Sequence, residues 1–150
     1  MTGEAFQHEV PITFGDCDPA GIVFYPRFFA WMDAGFHAFL RARGTSHAAL
    51  CAQFGACGIG LITAQSRFLS PARDGDLMRL ELRVAGWSAR SLRLAHSGWI
   101  GQRQVFEAEE TRGIFIPGAD GKLTAGPTAP LRAILEAGGG RAEDLPPPGT

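Results

Sequence analysis

PRFFAWMDAGFHAFLRAR, Pro26 to Arg43, decides how this chain folds. At about 100° per residue, Phe28, Phe29, Trp31, Met32, Gly35, Phe36, Phe39 and Leu40 cover roughly half the circumference of a helix. Arg27, Ala30, Ala34, His37 and Arg41 fill the other half. Gly44 is a suitable stop after Arg41 and Arg43, whose charges suit the C-terminal end of the helix dipole. So broad an apolar arc implies a helix largely surrounded by its partner, not one resting on a flat surface.

Strand patterns on either side supply that partner. FQHEVPITF (6–14) puts Phe6, His8, Val10, Ile12 and Phe14 on one face, the two-residue period of a half-buried strand. Pro11 has no amide donor, so the strand is expected at a free or bulged edge. Beyond the helix, TSHAALCAQFGACG (45–58) has no regular period. Four strand-like segments then follow: IGLITAQSRFLS, LMRLELRVAGWS, SLRLAHSGWIG and QVFEAEETRGIFIP. The turn-forming PARDGD (71–76), SARS (88–91) and GQRQ (101–104) separate them, which predicts an antiparallel meander. A short helix is expected at Pro130 to Ala137. GGGRAEDLPPPGT has too little apolar surface to offset its ordering entropy, so the folded domain is expected over 1–136 with a flexible tail at 137–150. The predicted class is α+β: a curved antiparallel sheet of about five strands wrapped around one long central helix.

Composition narrows the function classes. At 150 residues with 45% hydrophobic and 19% charged residues, the chain reads as one ordered globular domain. A formal charge of −1 gives no global attraction to nucleic acid or to an anionic membrane, so a phosphorylated ligand would need a local patch. Cys17, Cys51 and Cys57 make an odd set without framework spacing and read as incidental thiols in a reducing compartment. The N-terminal MTGEAFQHEV shows no export signal and no apolar run approaches a bilayer span, so a cytoplasmic location is expected. His8, His37, His47 and His96 show no metal spacing and are expected to be structural.

The loop before the helix, FGDCDPAGIVFYP (14–26), raises the chemical question. DCDPAG superficially resembles the start of a calcium loop, but position twelve counted from Asp16 is Arg27, a cation where a bidentate Glu is required. A structural use is open to both aspartates, as a helix cap or an Asx turn, and is the expectation for Asp16. A catalytic use is also open. A helix start presents unsatisfied amides and about half a positive charge, which polarises a carbonyl oxygen placed there. A carboxylate just before it, such as Asp18, can attack the carbonyl carbon or activate a water that does.

Gly15 to Val23, followed by Phe24, Tyr25, Pro26 and then WMDA, closely resembles the opening of the 4-hydroxybenzoyl-CoA thioesterase family. The resemblance implies a hot-dog fold and a cofactor-free hydrolase of acyl-CoA thioesters, with an aromatic acyl group favoured. It implies that Asp18 is the catalytic carboxylate and that the backbone N–H of Tyr25 polarises the thioester carbonyl. It places Asp33 in the acyl pocket, against the ring substituent. Trp87, Arg90 and Ser91 match the family's nucleotide-binding turn, in which Ser88 and Ala89 replace two cations. Arg93 and Arg103 are candidates to compensate, and a carrier-protein thioester stays open as substrate. The resemblance also implies homo-oligomers, a dimer whose sheets join and then a tetramer, with shared active sites and Arg90 serving a site with a neighbouring chain.

Two other functions remain on the sequence alone. The diluted basic cluster motivates a binding module for acyl-CoA or acyl-carrier protein without turnover. A hot-dog hydratase is disfavoured, because Val23 stands five residues after Asp18 where that chemistry pairs its acid with a histidine. No Gly-x-Ser-x-Gly elbow marks a serine hydrolase.

Overall fold

The structure, a computed structural model, describes residues 5–137. The tail expected at 137–150 lies, apart from Ala137, outside the described residues. Helix α1 spans Pro26–Ala42, with proline in its first turn where a missing N–H costs nothing. It ends as Arg43 N–H turns back to the carbonyls of Phe39 and Leu40, both at 3.1 Å, ahead of Gly44. Phe28, Met32, Gly35, Phe36, Phe39 and Leu40 are buried, while Phe29 and Trp31 are half-buried along the rim of the arc.

Strands β1 (Phe6–Pro11), β2 (Gly58–Phe68), β3 (Leu77–Trp87), β4 (Leu92–Ile100), β5 (Arg103–Pro117) and the short β6 (Leu123–Ala125) form one antiparallel sheet. The order is β1-β3-β4-β5-β2, with β6 added beside the end of β5. Two core clusters weld α1 to this sheet. Phe28 and Met32 pack with Val10, Met78, Leu80, Val105 and Phe106. Phe36, Phe39 and Leu40 pack with Leu82, Leu92, Leu94 and Ile114. At ~1.5–3 kcal/mol per buried large side chain, the helix contributes on the order of 10 kcal/mol, comparable to the net stability of a domain. Register shifts at Leu61/Thr63, Val84/Gly86 and Gly98/Trp99 add local twist and bend. At Gly98 a Cβ would overlap the ring of Phe106 and stand 3.0 Å from the sulfur of Met78, so only glycine fits there.

The predicted meander holds only for β3, β4 and β5. β2 pairs with β5, from Gly58↔Phe115 to Phe68↔Phe106, and does not touch β3. Residues 69–76 therefore form a crossover past two strands, roughly 14 Å at the usual strand spacing. The cause is tertiary. Leu69 N–H continues along β5 to the carbonyl of Val105 at 2.8 Å. Ala72 is then buried in the core, and its carbonyl accepts from Val23 N–H at 2.9 Å. β1 is an edge strand with Pro11 opposite Leu77, as proline requires.

The segment without a regular period contains helix α2 (His47–Phe54). The Ser46 side chain accepts from Ala49 N–H at 3.1 Å, Gly55 adopts φ 63° after it, and Leu50 is its buried anchor. Helix α3 (Ala129–Ala137) buries Leu131 and Leu135. Thr128 ties its start to the turn between β3 and β4, donating from Oγ1 to Ser88 O at 2.5 Å and from N–H to Ala89 O at 3.0 Å. His8 of β1 lies under Gly35, and its Nδ1 is buried without a hydrogen-bond partner. Burial, with the nearby His96 charge, pushes its pKa below the ordinary histidine value.

Candidate functional site

The Asp-Pro-Ala-Gly loop is a tight hairpin. Cys17 and Val23 form a bridge across it, and Asp18 N–H donates to Ile22 O at 2.9 Å. Gly21 N–H closes the turn onto Asp18 O at 2.9 Å with Pro19 in the second position, and Gly21 itself takes φ 78°. The two aspartates diverge within it. Asp16 Oδ2 accepts from Thr13 N–H (2.9 Å) and Thr13 Oγ1 (3.0 Å), and Asp16 Oδ1 lies 3.7 Å from Arg27, a scaffolding set of contacts. Asp18 Oδ1 accepts from Ala20 N–H at 2.9 Å, which closes an Asx turn and fixes the carboxyl. No hydrogen bond among the described residues engages its Oδ2.

At the head of α1, Phe24 N–H donates to Asp16 O at 2.8 Å, Pro26 has none to give, and Arg27 N–H returns to Phe24 O at 3.0 Å. The Tyr25 N–H between them meets no acceptor among the described residues, as the orphan amide of a helix start. Asp18 and Tyr25 line one cleft of 610 Å³ with Ile22, Val23, Phe28, Phe68 at the end of β2 and the crossover residues from Leu69 to Arg73. Its apolar wall is aromatic: Tyr25 and Phe28 stand 6.5 and 5.3 Å, centroid to centroid, from the ring of Phe68. The crossover thus forms one side of the cleft, and that is why residues 69–76 matter to the site.

The other predicted residues lie elsewhere in the protomer. Trp87, Arg90 and Ser91 sit around the β3–β4 turn, whereas the Phe68 wall of the cleft lies level with Phe106, Gly98 and Leu80, seven residues or roughly 23 Å along β3 from Trp87. Arg90 Nη1 donates to Ala125 O at 2.5 Å, and the hydroxyls of Ser88 and Ser91 are 2.6 Å apart. Arg93 pairs with Glu109 at 3.5 Å. Arg103, by contrast, borders the cleft, with Nη1 donating to Ser70 Oγ (2.7 Å) and Pro71 O (2.6 Å). Among the described residues no group of three or more His, Cys, Asp or Glu side chains could hold a metal ion. No described helix is long and apolar enough to cross a membrane.

Asp33 is more than half exposed on α1, and it joins a network that the spacing of residues did not reveal. Arg112 Nη2 donates to Asp33 Oδ1 and to Glu110 Oε2, both at 3.1 Å, and Glu110 Oε1 lies 2.6 Å from His96 Nε2. Glu110, Arg112 and His96 are all buried. Burial acts to raise the Glu110 pKa, but the His96 hydrogen bond and the charges of His96 and Arg112 outweigh it and hold the carboxyl below its ordinary range. Glu110 is therefore an acceptor and His96 Nε2 the donor. His37 is half-buried, its ring 5.3 Å from that of His47 on α2. His47 Nε2 accepts from Ile59 N–H at 3.1 Å.

A single helix packed across one antiparallel sheet, with an acidic hairpin at the helix head, is the hot-dog arrangement. A family model for the Thioesterase-like superfamily matches residues 12–132, and the chain belongs to that superfamily. It is 30% identical over 87 residues to the 4-hydroxybenzoyl-CoA thioesterase of Pseudomonas sp. (strain CBS-3). That match takes in 57% of this chain and 62% of the relative, so it spans less than two thirds of the relative's length. The solved structure of 4-hydroxybenzoyl CoA thioesterase from Pseudomonas sp. strain CBS-3 superposes with a TM-score of 0.78 at 25% identity, covering 89% of this chain and 99% of that one. The 1,4-dihydroxy-2-naphthoyl-CoA thioesterase from Synechocystis shares the fold, with a TM-score of 0.75 at 18% identity over 89% of this chain and 96% of that one.

Proposed function

We propose that this protein is an acyl-CoA thioesterase that hydrolyses an aromatic thioester of the 4-hydroxybenzoyl-CoA kind. The observation that carries the reading is the pairing, in one aromatic-walled cleft, of an Asp18 oxygen and a Tyr25 N–H that have no hydrogen-bond partner among the described residues. The thioester oxygen accepts a hydrogen bond from Tyr25 N–H at the positive end of α1, and negative charge developing on that oxygen is stabilised there. Asp18 Oδ2 attacks the carbonyl carbon; the C–S bond breaks, the thiolate leaves, and a mixed anhydride remains. Water then cleaves the anhydride, which releases the acid and restores the carboxylate. In the alternative route Asp18 takes a proton from the water that attacks. Both routes need only this carboxylate and this amide, without a cofactor. Asp33 meets the ring substituent, and Trp87, Arg90 and Ser91 of a second copy serve the nucleotide end.

Incubation with benzoyl-, 4-hydroxybenzoyl-, phenylacetyl- and medium-chain acyl-CoA, with free thiol monitored, tests the reading. Thiol release that favours the aromatic acyl groups is the expected result. Tight binding without release would indicate a binding module, and absorbance loss from an enoyl-CoA a hydratase.

The roughly 23 Å of strand between the Arg90 turn and the Phe68 wall of the cleft supports a shared site. So does the open edge of β2, where Leu61 and Ile62 are both about half exposed. Light scattering at micromolar concentration should give a dimer or tetramer, and a monomeric mass would contradict the shared site.

A further inference from the structure

Arg112 is 97% removed from solvent as a side chain, yet it ends on an exposed carboxylate. Three constraints leave it little freedom. Nη1 donates to Ile59 O at 3.2 Å, Nη2 is shared between Glu110 and Asp33, and the guanidinium carbon lies 4.2 Å from the centroid of the Phe36 ring. His96 in turn holds Glu110 from the other side. The chain His96–Glu110–Arg112–Asp33 therefore runs from the sheet core out to the surface of α1, and each member orients the next. An aspartate on a helix surface would otherwise sample several rotamers; a fixed guanidinium fork selects one. Because Arg112 takes Oδ1, the second oxygen of Asp33 stays available on the solvent side, with His37 Nε2 3.7 Å away.

Asp33 is not in the cleft lining but stands about two helical turns beyond Tyr25, which is. Tyr25, Phe29 and Asp33 are successive residues four apart, so they form one stripe on the helix surface. The stripe runs beside β2: the Tyr25 ring faces Phe68, and Arg112, which holds Asp33, sits opposite Leu61. From Tyr25 to Asp33 the helix rises roughly 12 Å, shortened because side chains tilt towards the N-terminus. One aromatic ring with a para substituent bridges that span from a carbonyl held at Tyr25 N–H.

We propose that Arg112 is a positioning residue: it holds Asp33 in the orientation that accepts a hydrogen bond from a hydroxyl on the acyl ring, and so selects hydroxylated aromatic thioesters. This rests on the proposed acyl role of Asp33. A rigid carboxylate penalises an acyl ring without the hydroxyl through an unmade bond, whereas a mobile one turns to water.

The test measures kcat and KM for 4-hydroxybenzoyl-CoA and benzoyl-CoA on wild type, Asp33→Asn, Arg112→Lys and the double variant Glu110→Gln/Arg112→Met. The double variant removes both members of the buried ion pair together, a change that buried pairs tolerate far better than loss of one partner. Arg112→Lys keeps the charge but loses the fork. Wild type should favour the hydroxylated substrate by about tenfold or more in kcat/KM. The double variant should lose most of that preference through a raised KM for 4-hydroxybenzoyl-CoA, with Arg112→Lys in between. A folded double variant or Arg112→Lys that keeps the full preference, while Asp33→Asn loses it, overturns the positioning role alone. An unaltered preference in Asp33→Asn, or none in wild type, overturns the acyl reading of Asp33 and this inference with it.

Discussion

Replacing Asp18 by Asn should lower kcat for thioester hydrolysis by about a thousandfold and leave KM within a few fold. Asparagine has nearly the same shape, and its carbonyl oxygen can keep the 2.9 Å bond from Ala20 N–H, so the hairpin and the cleft survive. What disappears is the charge on the second oxygen, the group assigned to attack the carbonyl or take a proton from water. An effect confined to kcat identifies an interaction made in the transition state; a comparable rise in KM alone would reduce Asp18 to a binding group. Thiol release under saturating substrate measures the first quantity directly. Residual activity above a tenth of wild type would remove Asp18 from the chemistry.

Glu110→Ala should cost about 3–5 kcal/mol of stability in urea or thermal unfolding. The substitution strands His96 and Arg112, both buried, without the carboxylate that each contacts. A loss of that size is a large share of the ~5–15 kcal/mol typical of a whole domain. Glu110→Gln should cost less, because an amide still accepts from His96. The two variants also differ in acid. In the folded protein the Glu110 carboxyl is held below its ordinary range, so its contribution is complete above the usual glutamate range. It is lost as pH falls through the lowered value. Since Glu110→Gln has no such group, its Tm deficit against wild type should narrow as pH falls through that window. A deficit independent of pH would mean that the pair contributes shape and not charge.

The sequence carried the central helix plainly, because Phe28, Met32, Phe36 and Leu40 recur at helical spacing and their arc is too broad for a flat partner. The strands were legible one by one for the same reason. Their order was not. PARDGD has hairpin chemistry, but the burial of Ala72 and the bond its carbonyl accepts from Val23 turn it into a crossover, and no local pattern announces a pairing of Phe68 with Phe106. Helix α2 was missed because it buries Leu50 alone and so shows no periodic face. Its Ser46 and Gly55 caps were the available signal. For the proposed site, Asp18 and Tyr25 could be singled out because the hairpin and helix head are contiguous in the chain. Arg112 and Glu110 were not, since on β5 they look like the polar alternation of an exposed face. Only the position of β5 under α1 buries them, next to a histidine from β4 and an aspartate 79 positions earlier.

The proposed chemistry rests on two atoms, a carboxylate oxygen and an amide hydrogen that no other described residue engages, proposed to meet the same thioester. The most direct measurement is a crystal structure with an aromatic acyl-CoA analogue in which a methylene replaces the sulfur. The account predicts its carbonyl oxygen at ~2.7–3.1 Å from Tyr25 N, with the carbonyl carbon facing Asp18 Oδ2. An analogue seated away from the head of α1, with Tyr25 N–H left to solvent, would contradict it.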